Sequence, residues 1–105
     1  MTKGYWIVRV DAHDEAAYKD YLAHNGAAFA EHGGRFVVRG GPFEAPVGTS
    51  RGRNVVIEFP TLEAAQACWA SDAYQAARAR QRGTAEMDLV IIGGYDGPQP
   101  GDPAP

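Results

Sequence analysis

The sequence has one cysteine, three histidines and no apolar run long enough to cross a bilayer, and each shortage removes a class of function. Cys68 alone forms no internal disulfide. The start, Met1-Thr2-Lys3-Gly4-Tyr5-Trp6, lacks the apolar stretch of a signal peptide, so a cytoplasmic protein without a membrane partner is expected. Charge of one sign is not concentrated either. Lys and Arg number 10 against 13 Asp and Glu, a net charge of -3 without long like-charge blocks, so nucleic acid is not an expected partner. His24 and His32 stand two helical turns apart and His13 precedes that helix; with no His-x-x-x-His pair or carboxylate cluster, no metal is expected. A haem needs a larger pocket than a chain of this size encloses, and no cofactor is expected. Gly48-Thr49-Ser50-Arg51-Gly52-Arg53 lacks the lysine and spacing of a phosphate loop, and no glycine motif leads from a strand into a helix as a dinucleotide site requires. A nucleophile triad is also missing.

What remains is a short chain of ordinary core content, 105 residues with 45% hydrophobic, which gives one domain. A domain this small buries only about two thirds of its unfolded surface, so pairing with a second copy is a natural source of added stability. Residues 5–11 are aromatic and β-branched between Gly4 and a polar turn, the pattern of a first strand. Asp14 caps the helix that follows, Glu15 complements its dipole, and Tyr18, Tyr21, Leu22, Asn25 and Phe29 recur on one face until His32-Gly33-Gly34 stops it. A second strand spans 35–39 and a third 54–59, ended by Pro60. Thr61 caps a helix with Leu62, Ala65, Cys68 and Trp69 on one side, and Ser71 opens a further helical piece over 73–81, so this helix is expected in two parts. Residues 87–92 form a fourth strand. Domain organisation is read as 1–94 folded and 95–105 a loose, proline-rich tail.

Strand, helix, strand, strand, helix, strand is the ferredoxin-like order: α+β, a four-stranded antiparallel sheet with both helices on one face. Right-handed crossovers place the third strand between the first and second, and the fourth on the far side of the first. The uncovered face is expected to pack against a second copy, giving a homodimer through the open sheet face.

Six short motifs carry a family resemblance. They are Gly4-Tyr5-Trp6-Ile7, His32-Gly33-Gly34-Arg35-Phe36, Arg39-Gly40-Gly41, Ile57-Glu58-Phe59-Pro60, Glu63-Ala64-Ala65 and Ser71-Asp72-Ala73-Tyr74-Gln75-Ala76, together with Tyr18 and Tyr21. In this order and spacing, over residues 4–93, the chain resembles the domain of unknown function 1330 family. The resemblance implies a dimeric α+β barrel, a superfamily that includes antibiotic-biosynthesis monooxygenases, muconolactone isomerase and haem-dependent peroxidases. It implies no activity. Where the family often has proline after the aspartate that opens the first helix, this chain has Glu15, a change at a capping position.

Strict alternation sorts the strand residues into two faces. Trp6, Val8, Val10, Phe36, Val38, Val55, Ile57, Phe59, Met87, Leu89 and Ile91 are expected beneath the helices; Tyr5, Ile7, Arg9, Arg35, Val37, Arg39, Val56, Glu58, Asp88, Val90 and Ile92 on the open side. Strand direction brings Arg9, Arg39 and Asp88 toward one end, with Arg9 able to pair with Asp88 and Arg35 with Glu58. Arg39 is left without a partner in its own subunit. It either meets a carboxylate of the second copy or solvent, or serves beside its two glycines as an anion site for a ligand carboxylate or enolate. In the long 40–53 connection Phe43 is the expected anchor. Tyr74, at the helix break, is placed to face a cavity, while Tyr18, Tyr21 and Cys68 read as core filling.

The ligand-binding candidates are therefore Arg39, Arg9, Asp88 and Tyr74. Two functional classes fit: a homodimeric protein binding a small organic, acidic molecule, or a cofactor-independent enzyme of the monooxygenase or isomerase type acting on an enolisable ligand.

Overall fold

The computed structural model describes residues 2–103; Met1 and residues 104–105, the last two of the expected tail, lie outside the described residues. In chain order the elements are β1 (Gly4–Ala12), α1 (Glu15–Glu31), β2 (Arg35–Arg39), β3 (Arg53–Phe59), α2 (Leu62–Ala70), α3 (Asp72–Gln81) and β4 (Ala85–Gly93). Local chemistry sets the helix starts. Asp14 accepts from the Ala17 N–H at 3.1 Å and Thr61 from the Ala64 N–H at 3.0 Å, each satisfying an orphan donor of a first turn. Ser71 does two things at once: its hydroxyl donates to the Cys68 carbonyl at 2.7 Å, closing α2, and accepts from the Tyr74 N–H at 3.1 Å, opening α3. The expected two-part helix is thus two helices divided at one serine.

The sheet runs β2-β3-β1-β4 with every neighbouring pair antiparallel, the order the crossovers imply. The helices cover one face, and the core lies between. Trp6 is its centre. Its ring meets Tyr74 edge-on at 4.8 Å and Phe29 at 5.3 Å, and its indole N–H donates to the Ala65 carbonyl at 2.9 Å, tying β1 to α2. Gly4 allows this closeness, because a Cβ there would sit 2.6 Å from both the Leu62 Cα and the Thr61 carbonyl oxygen.

β2 departs from strict alternation. Phe36 stands opposite Ile57, but Val38, not Val37, stands opposite Val56, and Arg39 opposite Val55. Val37 is the extra residue of a β-bulge, and from there on the faces of β2 are exchanged. Val38 therefore belongs to the open face and Arg39 to the helix-covered face, the reverse of the alternation reading. A row of apolar residues, Val38, Val56, Ile7 and Val90, now crosses all four strands on the open side. One flanking row is Arg35, Glu58, Tyr5 and Ile92, in which the Tyr5 hydroxyl donates to Glu58 at 3.1 Å and Arg35 reaches it at 3.6 Å. The other holds Asn54, Arg9 and Asp88.

The connection between β2 and β3 is pinned by Arg51, not by Phe43, which is half exposed. The Arg51 guanidinium reaches Asp11 at 2.9 Å, Glu86 at 3.0 Å and Asp88 at 2.9 Å, and the Gly52 N–H donates to Asp11 at 2.8 Å. After β4, the Gly94 N–H donates to the Lys3 carbonyl and the Tyr95 hydroxyl to the Pro98 carbonyl, both at 2.7 Å. No helix among the described residues is long and apolar enough to cross a membrane.

Candidate functional site

The bulge brings Arg39 to a cavity between the helices and the sheet. Trp6, Val8, Val55 and Ile57 form the sheet wall, Phe29 and Leu22 the α1 wall, and Tyr18, Tyr21, Asn25, Tyr74, Arg39 and Arg53 supply its polar groups. Its volume is about 20 Å³, room for one water molecule. Neither an aspartate nor a glutamate lines it.

Three phenols from two helices converge here. The Tyr21 and Tyr74 hydroxyls share a buried hydrogen bond of 2.9 Å. Burial raises the Tyr21 pKa, against the opposing pull of hydrogen bonds to Tyr74 and Asn25. Burial, then the neighbouring Tyr21 phenol, carries Tyr74 far above its ordinary value. Tyr18 is raised by burial and by Tyr21, with the Arg53 guanidinium acting the other way. All three are therefore neutral hydrogen-bond donors at neutral pH, and no histidine or carboxylate in the lining offers a base.

The cations are set along the edge of the covered face. Arg39 lies opposite Val55 and Arg53 opposite Val10, so the two occupy successive inward positions on β2 and β3. Arg39 places its guanidinium 4.2 Å from the centre of the Phe36 ring. Neither arginine has a carboxylate within ion-pair distance among the described residues, in contrast to Arg35, Arg51 and Arg80.

Of the four candidates named from sequence, the structure brings Arg39 and Tyr74 to this one cavity. Arg9 and Asp88 lie on the opposite face of the sheet. They are cross-strand neighbours as the register requires, yet the Asp88 carboxylate is taken by Arg51 and Arg9 forms no ion pair among the described residues. Tyr18 and Tyr21, read as core filling, line the cavity, and Asn25 and Arg53 join them. Two signals pointed there: Asn25 is a polar residue on the buried stripe of α1, and Arg53 shares the parity of Val55, Ile57 and Phe59. Cys68 is core, its thiol pushed up to about 12 by burial and unreactive.

A family profile described as a domain of unknown function, DUF1330, matches residues 3–95. No curated protein matches the sequence significantly. Among solved structures, a Rhodopseudomonas palustris protein of unknown function, RPA0582, superposes with a TM-score of 0.71 at 17% identity, covering 91% of this chain and 85% of that one. Its methylated form gives 0.70 at 18% identity, over 96% and 84%. SnoaB, a cofactor-independent oxygenase from Streptomyces nogalater, superposes with a TM-score of 0.62 at 14% identity, covering 97% of this chain and 100% of that one. At these identities the likeness is one of fold.

Proposed function

Because the chain belongs to the domain of unknown function family DUF1330, whose name carries no reaction, we propose a function from the cavity: binding of a small organic acid between the helices and the sheet. The observation that carries this reading is the charge of the lining. Its charged groups are arginines, its other polar groups are an amide and protonated phenols, and it lies in a chain whose net charge is -3. A planar carboxylate suits a guanidinium fork, and an aromatic wall suits a flat organic body. Pairing of two copies through the Val38, Val56, Ile7 and Val90 row belongs to the same proposal, since it leaves the helix side free for the ligand.

A second reading is catalytic, favoured by the Tyr21–Tyr74 hydroxyl pair inside an apolar cavity and by the fold shared with the SnoaB oxygenase. Lacking a base in its lining, this cavity would serve only a substrate acidic enough to enter as its own anion, with Arg39 stabilising the charge.

The test is calorimetric titration with matched pairs of aryl acids and their neutral amides, beginning with benzoate and benzamide. The acid is expected to bind and the amide not, with Arg39→Ala weakening the acid by about tenfold or more. Equal affinity for acid and amide would end the proposal.

A further inference from the structure

Beside this cavity lies a second hollow of about 430 Å³, between the start of α1, the end of β1 and the start of β3. This is the size of a small-molecule site, whereas the inner cavity has room for one water. Tyr18, Leu22 and Arg53 line both, so these side chains form the partition between them. Arg53 is the unusual member. Its Nε is buried without a hydrogen-bond partner, and no carboxylate pairs with its guanidinium among the described residues. The charged side chains around the outer hollow do not fill that gap: Asp11 is engaged by Arg51 and the Gly52 N–H, while Glu15 and Lys19 are exposed on α1.

The backbone approaches this guanidinium closely. Gly40 has φ +65°, and a Cβ there would fall 2.6 Å from Arg53 Nη1 and 2.9 Å from Cζ, so the fork lies against a bare Cα. The residue before that glycine is Arg39. A buried donor without an acceptor, beside a second guanidinium that has no ion pair among the described residues, at the junction of an aromatic cavity and a wider, more polar hollow, is chemistry suited to an anion.

We propose that Arg53 is the second anion-contacting residue of the site, and that the ligand is an aryl carboxylate. Its ring occupies the inner cavity, and its carboxylate lies at the partition between Arg39 and Arg53. This inference rests on the acid-binding reading above and names its ligand class and its route. The ring is larger than the inner cavity, so it enters from the outer hollow by displacing Tyr18 and Leu22, which line both.

The test uses 1-naphthoate and neutral 1-naphthamide with a Trp69→Phe variant, which leaves Trp6, in the inner wall, as the sole tryptophan. Naphthoate is expected to change Trp6 emission and to bind, by calorimetry, at least tenfold more weakly to Arg53→Met. Arg53→Lys, which keeps the charge and loses the fork, should lie between the two. Leu22→Ala should raise the association rate several-fold in stopped-flow mixing. Circular dichroism checks that each variant folds; if Arg53→Met does not, Arg53→Lys carries the comparison. Undiminished naphthoate binding by the Arg53 variants, with loss in Arg39→Ala, would overturn this inference and leave the acid-binding reading standing. Binding without a Trp6 response would overturn the placement of the ring. A parent protein that binds neither aryl acid at millimolar concentration would overturn both readings.

Discussion

Arg51 shows how much one side chain can organise. Three carboxylates on β1 and β4 hold its guanidinium and raise its already high pKa. In return, the Gly52 N–H first and Arg51 second hold the Asp11 carboxyl below its usual value. A carboxylate with a lowered folded pKa stabilises above its unfolded value, and that contribution disappears as pH falls through the folded one. The 49–53 backbone is therefore expected to loosen only in acid, with an Asp11 NMR midpoint below that of a free aspartate. In Arg51→Ala the midpoint should rise part of the way back, since the Gly52 N–H remains. The buried phenols work in the opposite sense. A raised folded pKa gives stability that is complete below the unfolded value of about 10 and is lost as pH rises beyond it. Tyr18, Tyr21 and Tyr74 are expected to give no phenolate absorbance near pH 10 and to ionise in one step with alkaline unfolding. Tyr21→Phe leaves the Tyr74 hydroxyl without its buried partner, a cost of about 1–3 kcal/mol readable as a lower Tm.

At the scale of elements, the start of α2 lies hard against β1. Gly4→Ala sets a methyl group against the backbone of Thr61 and Leu62, which cannot swing aside as a side chain would. Chemical denaturation should register a loss of about 2 kcal/mol or more, with the strands and helices retained by circular dichroism. The elements themselves were legible because their causes are local: Asp14, Thr61 and Ser71 cap where a short polar side chain precedes an apolar period, and Gly33 follows the last turn of α1. Strand order followed from crossover handedness. The bulge had no such mark. Val37 is flanked by a phenylalanine and another valine, so nothing in Arg35–Arg39 distinguishes a regular strand from one with an extra residue, and strict alternation puts Arg39 on the wrong face. Arg51 escaped for a different reason: its partners stand 35 to 40 positions away, and pairing over such distances is a property of the assembled sheet.

The molecule as a whole is longer than its size requires. Its radius of gyration is 15.4 Å, against about 13 Å for a compact domain of this length, and its extents are 52 × 34 × 16 Å. Residues 41–49 of the connection are exposed throughout, with Phe43 and Val47 among them, and the open face exposes Ile7, Val38, Val90 and Ile92. Under the dimer proposal these surfaces are covered by a second copy. Light scattering of the purified protein is then expected to give twice the chain mass of 11.3 kDa, and Ile7→Glu with Val90→Glu, cross-strand neighbours on β1 and β4 in the apolar row, to give a soluble monomer. A parent protein that runs as a monomer would remove the dimer and leave the cavity untouched.

The extra residue in β2 also bears on how relatives of this chain should be compared. Sequence alignment matches positions by order along the chain, but inward and outward positions in a strand are set by parity, and Val37 changes the parity between Phe36 and Arg39. β2 has a neighbour on one side only, and a strand edge accommodates such a length change with little disturbance to the rest of the sheet. Two homologues that both carry an arginine just before the paired glycines can thus aim it at different partners, one at the cavity and the other at the surface of the sheet. Whether the arginine is shared is the lesser question; the count of residues from the preceding aromatic decides which chemistry it joins.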